Sequence, residues 1–127
     1  MGLGTVGTMR PRWRGRFPAP VREAIEWAAE VSGPAFVEVM GARPFVRDLH
    51  AMTHREIEGD SQADGGAGYM IQDESTGAIR IAINPTLSPR RAVEVWIEEQ
   101  VHALDPELEE PPVRNILVPA IARRIGL

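Results

Sequence analysis

The residues whose types and spacing could carry out chemistry lie in the segment Glu98-Glu99-Gln100-Val101-His102. Glu98 and His102 are four residues apart, so on a helix they share one face and can form an ion-paired or hydrogen-bonded contact. A carboxylate and an imidazole can also each bind Zn²⁺. The segment therefore predicts either an ordinary polar pair on a surface helix or part of a metal site.

The spacing resembles the H-E-x-x-H motif of zincin-type metallopeptidases. In that motif two histidines four residues apart bind zinc, and the glutamate after the first histidine activates the bound water. His102 stands at the position of the second histidine, Glu99 at that of the general base, and Glu98 replaces the first histidine. A predicted hairpin before this segment, with an acidic segment and a final helix after it, extends the resemblance over residues 79–127 to minimal zincin-like domains common in phage genomes.

The replaced histidine decides what the resemblance implies for function. In the family a third ligand follows the motif, and because carboxylates bind Zn²⁺ at about 2.0–2.2 Å, the candidate metal ligands are Glu98, His102 and either Glu109 or Glu110. Two carboxylates would offset much of the charge of the metal, so we expect a degenerate, non-catalytic domain with no cofactor. It would act as an interaction or assembly component, of the kind found in a phage virion. The alternative is a zinc metallopeptidase with a Glu/His/Glu site and Glu99 as the catalytic base.

Two other patterns have the types of residue that bind metals. His50 and His54 could share a metal ion on a helix, whereas on a strand they would lie about 13 Å apart. Residues 60–65 alternate oxygen-bearing side chains like a calcium loop, but the twelfth position, where a bidentate glutamate belongs, is Ile71. We therefore expect two polar residues near a loop in the first case and an ordinary connection in the second.

Residues 1–19 form a predicted basic arm. Residues 1–20 contain four arginines and no acidic residue, so the chain's net charge of −4 leaves −8 on residues 21–127. A segment so rich in glycine and proline has too little apolar surface to fold alone, which predicts a mobile arm ordered by a partner. The side chains expected to contact that partner are Arg10, Arg12, Trp13, Arg14, Arg16 and Phe17. Because the acidic body repels nucleic acid, a protein partner or a second copy of the chain is favoured, and nucleic acid is the second alternative.

The composition excludes several kinds of chemistry. All fourteen basic residues are arginine, and there is no cysteine. Disulfides, thiolate zinc sites, cysteine nucleophiles and lysine Schiff bases are thereby ruled out. The longest apolar run, residues 116–122, is far shorter than the ~20 residues of a membrane span, and no secretory signal pattern is recognised. We expect no membrane contact, and a location in the cytoplasm or in a phage particle.

The elements that must position the motif are predicted from apolar spacing and turn residues. The predicted helices cover residues 21–32, residues 89–104 with Ser88 as N-cap, and a last segment that starts at Pro111 or Pro112 and kinks at Pro119. The predicted strands are residues 36–40, 69–73 and 78–84, and the last two form a hairpin. Residues 42–57 are ambiguous between strand and helix.

These elements predict an α+β domain over residues 20–127, with a small sheet of three to four strands packed against three helices. Trp96 and Ile97 are expected to pack on the hairpin. In the non-catalytic interpretation Glu99 faces solvent. The last helix is expected to bury Ile116 and Ile121.

Overall fold

The computed structural model describes residues 9–59 and 66–127. Its four strands are β1 (Arg12–Arg14), β2 (Asp48–Ala51), β3 (Gly68–Gln72) and β4 (Ile79–Ile83). They form one mixed sheet in the order β1-β2-β4-β3. β1 and β4 both run parallel to β2, and β3 pairs antiparallel with β4 as the predicted hairpin. The α+β class predicted from the sequence is confirmed.

Helices cover the sheet and supply most of the core. They are α1 (Ala19–Val31), α2 (Gly33–Met40), α3 (His54–Gly59), α4 (Pro89–Leu104), α5 (Glu110–Pro112) and α6 (Val118–Arg124), with a π-helical segment, Val113–Leu117, between the last two. α4 contacts α1, α6, β3 and β4, so it is the central element. Its Trp96 and Ile97 are fully buried in the same core as Ile81 and Ile83, as predicted. Among the residues described, no helix is long and apolar enough to cross a membrane.

Gly68 allows α4 to lie close to the sheet. A Cβ atom on Gly68 would lie 2.6 Å from Cγ1 of Val95 on α4 and 2.7 Å from the carbonyl oxygen of Ala82 on β4. Both distances are well inside van der Waals contact, so a larger residue would push the helix away. The position of the helix that carries the motif therefore depends on this glycine.

Residues 36–40 are helical, and their prediction as a strand was wrong. Pro34 lies in the first turn of α2, and Gly41 closes the helix in a left-handed conformation with φ 75°. Phe36 is fully buried and meets the ring of Trp96 edge-on at a centroid distance of 6.0 Å. Burial against α4 outweighs the weak strand preference of Val37 and Val39, because single-residue propensities are small compared with packing.

The predicted kink at Pro119 takes the form of the π-helical segment before it. Proline lacks a backbone N–H and its ring crowds the preceding turn, and a wider turn accommodates both effects. The wider turn also rotates the helix face, so Val118 is buried and Ile116 is 64% exposed. The expected burial of Ile116 was therefore wrong, whereas Ile121 is fully buried as predicted.

Part of the predicted arm belongs to the fold, which corrects the expectation that residues 1–19 lie outside the domain. β1 extends the sheet, and the side chain of Arg12 pairs with Asp48 of β2 at 3.0 Å. Phe17 is 8% exposed and meets Trp13 edge-on at 4.9 Å. Strand pairing satisfies backbone groups and the two aromatic rings bury apolar area, so these residues are ordered without a partner. Residues 1–8 lie outside the described part of the chain.

Candidate functional site

The start of α4 sets the direction in which the motif residues point. The Ser88 hydroxyl accepts a hydrogen bond from the backbone N–H of Arg91 at 3.2 Å, and Pro89 occupies the first turn. The helix therefore begins where the sequence predicts. Glu98 and His102 lie one turn apart on this helix, on the side that faces α5 and the π-helical segment.

Three of the four candidate metal ligands lie together. Glu98, His102 and Glu110 each offer a ligand atom, and these three atoms lie within 4.8 Å of one another. The Glu98 side chain is 5% exposed and that of His102 is 13% exposed, whereas that of Glu110 is half exposed. Glu109 is the exposed N-cap of α5 and lies outside this group. The three grouped residues are called the acidic cluster below.

Arg114 enters the acidic cluster from the π-helical segment. Its Nε donates a hydrogen bond to Oε1 of Glu98 at 3.2 Å and lies 3.1 Å from Oε2 of Glu110. Sequence reasoning missed Arg114. Its spacing of four residues from Glu110 could have indicated that ion pair. The contact with Glu98, sixteen residues earlier, depends on how the two helices pack.

His102 lies against Glu110 without a hydrogen bond to it. Its Nε2 lies 2.9 Å from Oε1 of Glu110, but the approach is too oblique for a hydrogen bond, and within the described part of the chain this buried nitrogen has no other partner. The Nε2 nitrogen of His102 is therefore an unused hydrogen-bond donor or acceptor beside Glu110.

Burial raises the pKa of Glu98 in the acidic cluster. Removal of Glu98 from water, reinforced by the nearby carboxylates of Glu99 and Glu110, raises its pKa from 4.5 to about 7, although Arg91 acts in the opposite direction. The guanidinium of Arg114, 3.2 Å from Oε1 of Glu98, favours the charged carboxylate and opposes this shift. Glu99 is only 4% exposed, so the expectation that it faces solvent was wrong. A helix that packs on several partners leaves little of its surface to water, and this burial extends beyond the apolar stripe.

Gln100 is a second residue that sequence reasoning missed. It is fully buried, and its side-chain oxygen accepts hydrogen bonds from the backbone N–H groups of Phe45 at 3.2 Å and Val46 at 3.1 Å. Its amide nitrogen donates to the carbonyl oxygen of Val46 at 2.7 Å. These three bonds attach the middle of α4 to the segment that leads into β2. They hold the helix that carries the cluster in place.

The acidic cluster does not fit a metal ion while Arg114 lies within it. Tetrahedral zinc ligands at about 2.0–2.1 Å lie about 3.4 Å from one another, so the three donor atoms would have to close in. The Nε of Arg114 already contacts Glu98 and Glu110, the two carboxylates that would bind the ion. The site as it stands binds a guanidinium.

The two remaining histidines bind different carboxylates. His50 lies on β2, where its Nε2 is 3.0 Å from Oε1 of Glu56, and the hydroxyl of Tyr69 donates to the other oxygen of Glu56. His54 begins α3 and pairs with Glu58 at 3.0 Å on the surface. The sequence-based expectation of two polar residues near a loop agrees with this arrangement. Residues 60–65, the calcium-like segment, lie outside the described residues.

Glu56→Gln should lower the free energy of unfolding by about 2 kcal/mol at pH 7. The Tyr69 hydroxyl, followed by His50 and Thr53, lowers the pKa of Glu56 from 4.5 to about 2 by hydrogen bonding. A lowered pKa stabilises the folded state above pH 4.5, and this contribution is lost as the pH falls towards 2. Urea titrations across this range should show the difference from the wild type shrinking. The control Glu58→Gln, at an exposed position, should change stability by less than about 0.5 kcal/mol at every pH. A constant difference would contradict the assignment.

The predicted partner-binding residues divide into two groups. The exposed group is Arg10, Arg12, Arg14 and Arg16. Trp13 is half-buried beneath the guanidinium of Arg22, which lies 5.1 Å from its ring centre, and Phe17 belongs to the core. Arg10, Arg14 and Arg16 are therefore available to a partner, whereas Arg12 is paired with Asp48. The Phe17 side chain is not available, which corrects that part of the prediction.

Comparison with known proteins finds no matching family model, no similar curated protein and no similar solved structure.

Proposed function

We propose that this chain is a degenerate zincin-like domain that does not hydrolyse peptides and acts as an interaction or assembly component, of the kind found in a phage virion. The observation that supports the non-catalytic part is the position of Arg114. Its guanidinium contacts Glu98 and Glu110, the residues that stand at ligand positions in the resemblance. A built-in cation replaces the one that a metallopeptidase would bind.

The chemistry of the guanidinium explains why this replacement matters. Arginine keeps its charge at all physiological pH values, so a positive charge always lies beside the carboxylates of Glu98 and Glu110. It has no open coordination position, and so it cannot lower the pKa of a bound water. Glu99, the general base of the alternative, would then have no activated water to deprotonate. The cluster keeps a cation between its two carboxylates without the reactivity of a metal site.

The surface near β1 supports the proposed assembly role. Arg10, Arg14 and Arg16 are exposed. In the part of the chain that the structure describes, β1 is the outermost strand on one side of the sheet, where an edge strand can pair with another strand. Residues 21–127 carry −8, so a neighbouring copy or another acidic protein is electrostatically complementary to these arginines. The phage context comes from the sequence resemblance.

Purified wild-type protein should carry well under one zinc per chain by elemental analysis, because Arg114 competes for the carboxylates. Glu98→His combined with Arg114→Gln should restore the missing histidine, remove the competing cation and raise zinc affinity at least about a hundredfold over the wild type. Isothermal titration with zinc measures this change. In that background Glu110→Gln should abolish the gain, and the matched variant Glu109→Gln should leave it intact.

Two results would contradict the proposal in different ways. One tightly held zinc in the wild type, with peptide hydrolysis that Glu99→Gln abolishes, would establish the metallopeptidase with Glu98, His102 and Glu110 as ligands. A double variant that folds but binds no zinc would show that the resemblance to zincins does not extend to the site. Circular dichroism of each variant separates that result from misfolding.

A further inference from the structure

An open cleft of about 260 Å³ lies beside the acidic cluster, between the first half of α4 and the last helical segments. Four arginines line it, Arg90, Arg91, Arg114 and Arg123. Two carboxylates, Glu94 and Glu98, also line it, so positive side chains outnumber negative ones by four to two. The remaining wall includes the apolar residues Val118, Pro119 and Ala122. Residues 21–127 carry −8 overall, so four arginines around one cleft depart from the charge of the surface around it.

Two of these arginines are available to a ligand. Arg114 is occupied by the acidic cluster, and Arg91 lies 3.8 Å from Glu94. Arg90 and Arg123 are exposed and make no ion pair with any residue that the structure describes. The cleft thus presents two free guanidinium groups above an apolar wall.

The position of Arg90 and Arg91 does not serve the stability of α4. Both lie in its first turn, where the positive end of the helix dipole disfavours cations, and the first turn contains no acidic residue. An anion placed in the cleft would interact favourably with both arginines and with that helix end. The two arginines therefore favour the binding of a negatively charged ligand and do not stabilise the isolated helix.

We infer that this cleft binds a short acidic segment of a partner protein, with carboxylates on Arg90 and Arg123 and an apolar side chain against Val118 and Ala122. The inference rests on the proposed interaction role and names the chemistry of the partner. A volume of about 260 Å³ accommodates one or two side chains. The apolar wall suits an aliphatic side chain, and the acidic body around the cleft disfavours an extended nucleic-acid backbone. A peptide is therefore favoured over a polynucleotide.

The test uses a fluorescein-labelled peptide, Glu-Leu-Glu-Glu-Leu-Glu with blocked termini, and the full chain. We expect saturable binding by fluorescence polarisation that weakens as salt rises. The same peptide with glutamine in place of every glutamate should not bind. The double variant Arg90→Gln/Arg123→Gln should weaken binding at least about tenfold, because it removes both free guanidinium groups. The matched double variant Arg43→Gln/Arg55→Gln removes the same charge at exposed positions outside the cleft and should bind like the wild type.

Equal losses in the two double variants would overturn the inference, since they would show attraction to net charge alone. No binding of the acidic peptide, or tighter binding of single-stranded DNA that Arg90→Gln/Arg123→Gln abolishes, would also overturn it. Mass spectrometry of the peptide separates this inference from the proposed function. Cleavage products would contradict the non-catalytic role but not the binding of an acidic segment in the cleft. If the peptide does not bind while the wild-type protein carries well under one zinc per chain, only the inference about the cleft is contradicted.

Discussion

Gln100→Met should lower the free energy of unfolding by about 3–6 kcal/mol, the largest effect that we expect from a single substitution in this chain. Methionine has nearly the same volume, so the packing of α4 is preserved and the loss reports on hydrogen bonds. The variant leaves the buried backbone groups of Val46 and the half-buried N–H of Phe45 without partners. Each buried group left unsatisfied costs about 1–3 kcal/mol.

Guanidinium chloride titrations monitored by tryptophan fluorescence measure this loss. The matched control is Gln72→Met, which makes the same chemical change at an exposed position on β3 and should alter stability by less than about 0.5 kcal/mol. A loss below about 1 kcal/mol for Gln100→Met would show that the segment around Val46 finds other partners, and that Gln100 does not hold α4 in place.

Phe17→Ala should destabilise the fold by about 3–5 kcal/mol, as expected for a large aromatic ring removed from a core. Phe17 packs with Trp13 beside the sheet, and the ring is nearly inaccessible to water. Deleting residues 2–17 would also remove β1 and the pairing of Arg12 with Asp48, so it should cost at least as much. A mobile arm outside the domain, which the composition of residues 1–19 predicts, could instead be removed without effect on stability.

Thermal and chemical denaturation of the truncated and full-length chains distinguishes a β1 that belongs to the fold from a detachable arm. Arg16→Ala is the control for Phe17→Ala, because Arg16 is the exposed neighbour in the same segment and its loss should cost less than about 0.5 kcal/mol. An unchanged melting temperature after truncation would show that residues 12–17 are a detachable arm. Light scattering of both chains then reports separately on assembly.

The sequence by itself determined the elements whose signals are local. Ser88 and Pro89 mark the start of α4, and the apolar stripe through Trp96 and Ile97 gives its buried face. The alternating isoleucines of β4 and the turn before them determined the hairpin. Caps, turns and periodicity act over a few residues, so they are visible before the fold is known. The spacing of Glu98 and His102 is also local, and it predicted correctly that they share a helix face.

Only the tertiary structure decided the contacts between residues far apart in the chain. The pairing of β1 with β2 ordered a segment whose composition predicts disorder, and packing against Trp96 made a helix of a segment predicted as a strand. Arg114 reaches Glu98, and Gln100 reaches Val46, across gaps that no local pattern encodes. These contacts form because burial leaves charged and polar groups without water, and each must then find a partner wherever the fold brings one. That requirement, and not the motif spacing, placed a guanidinium at the acidic cluster.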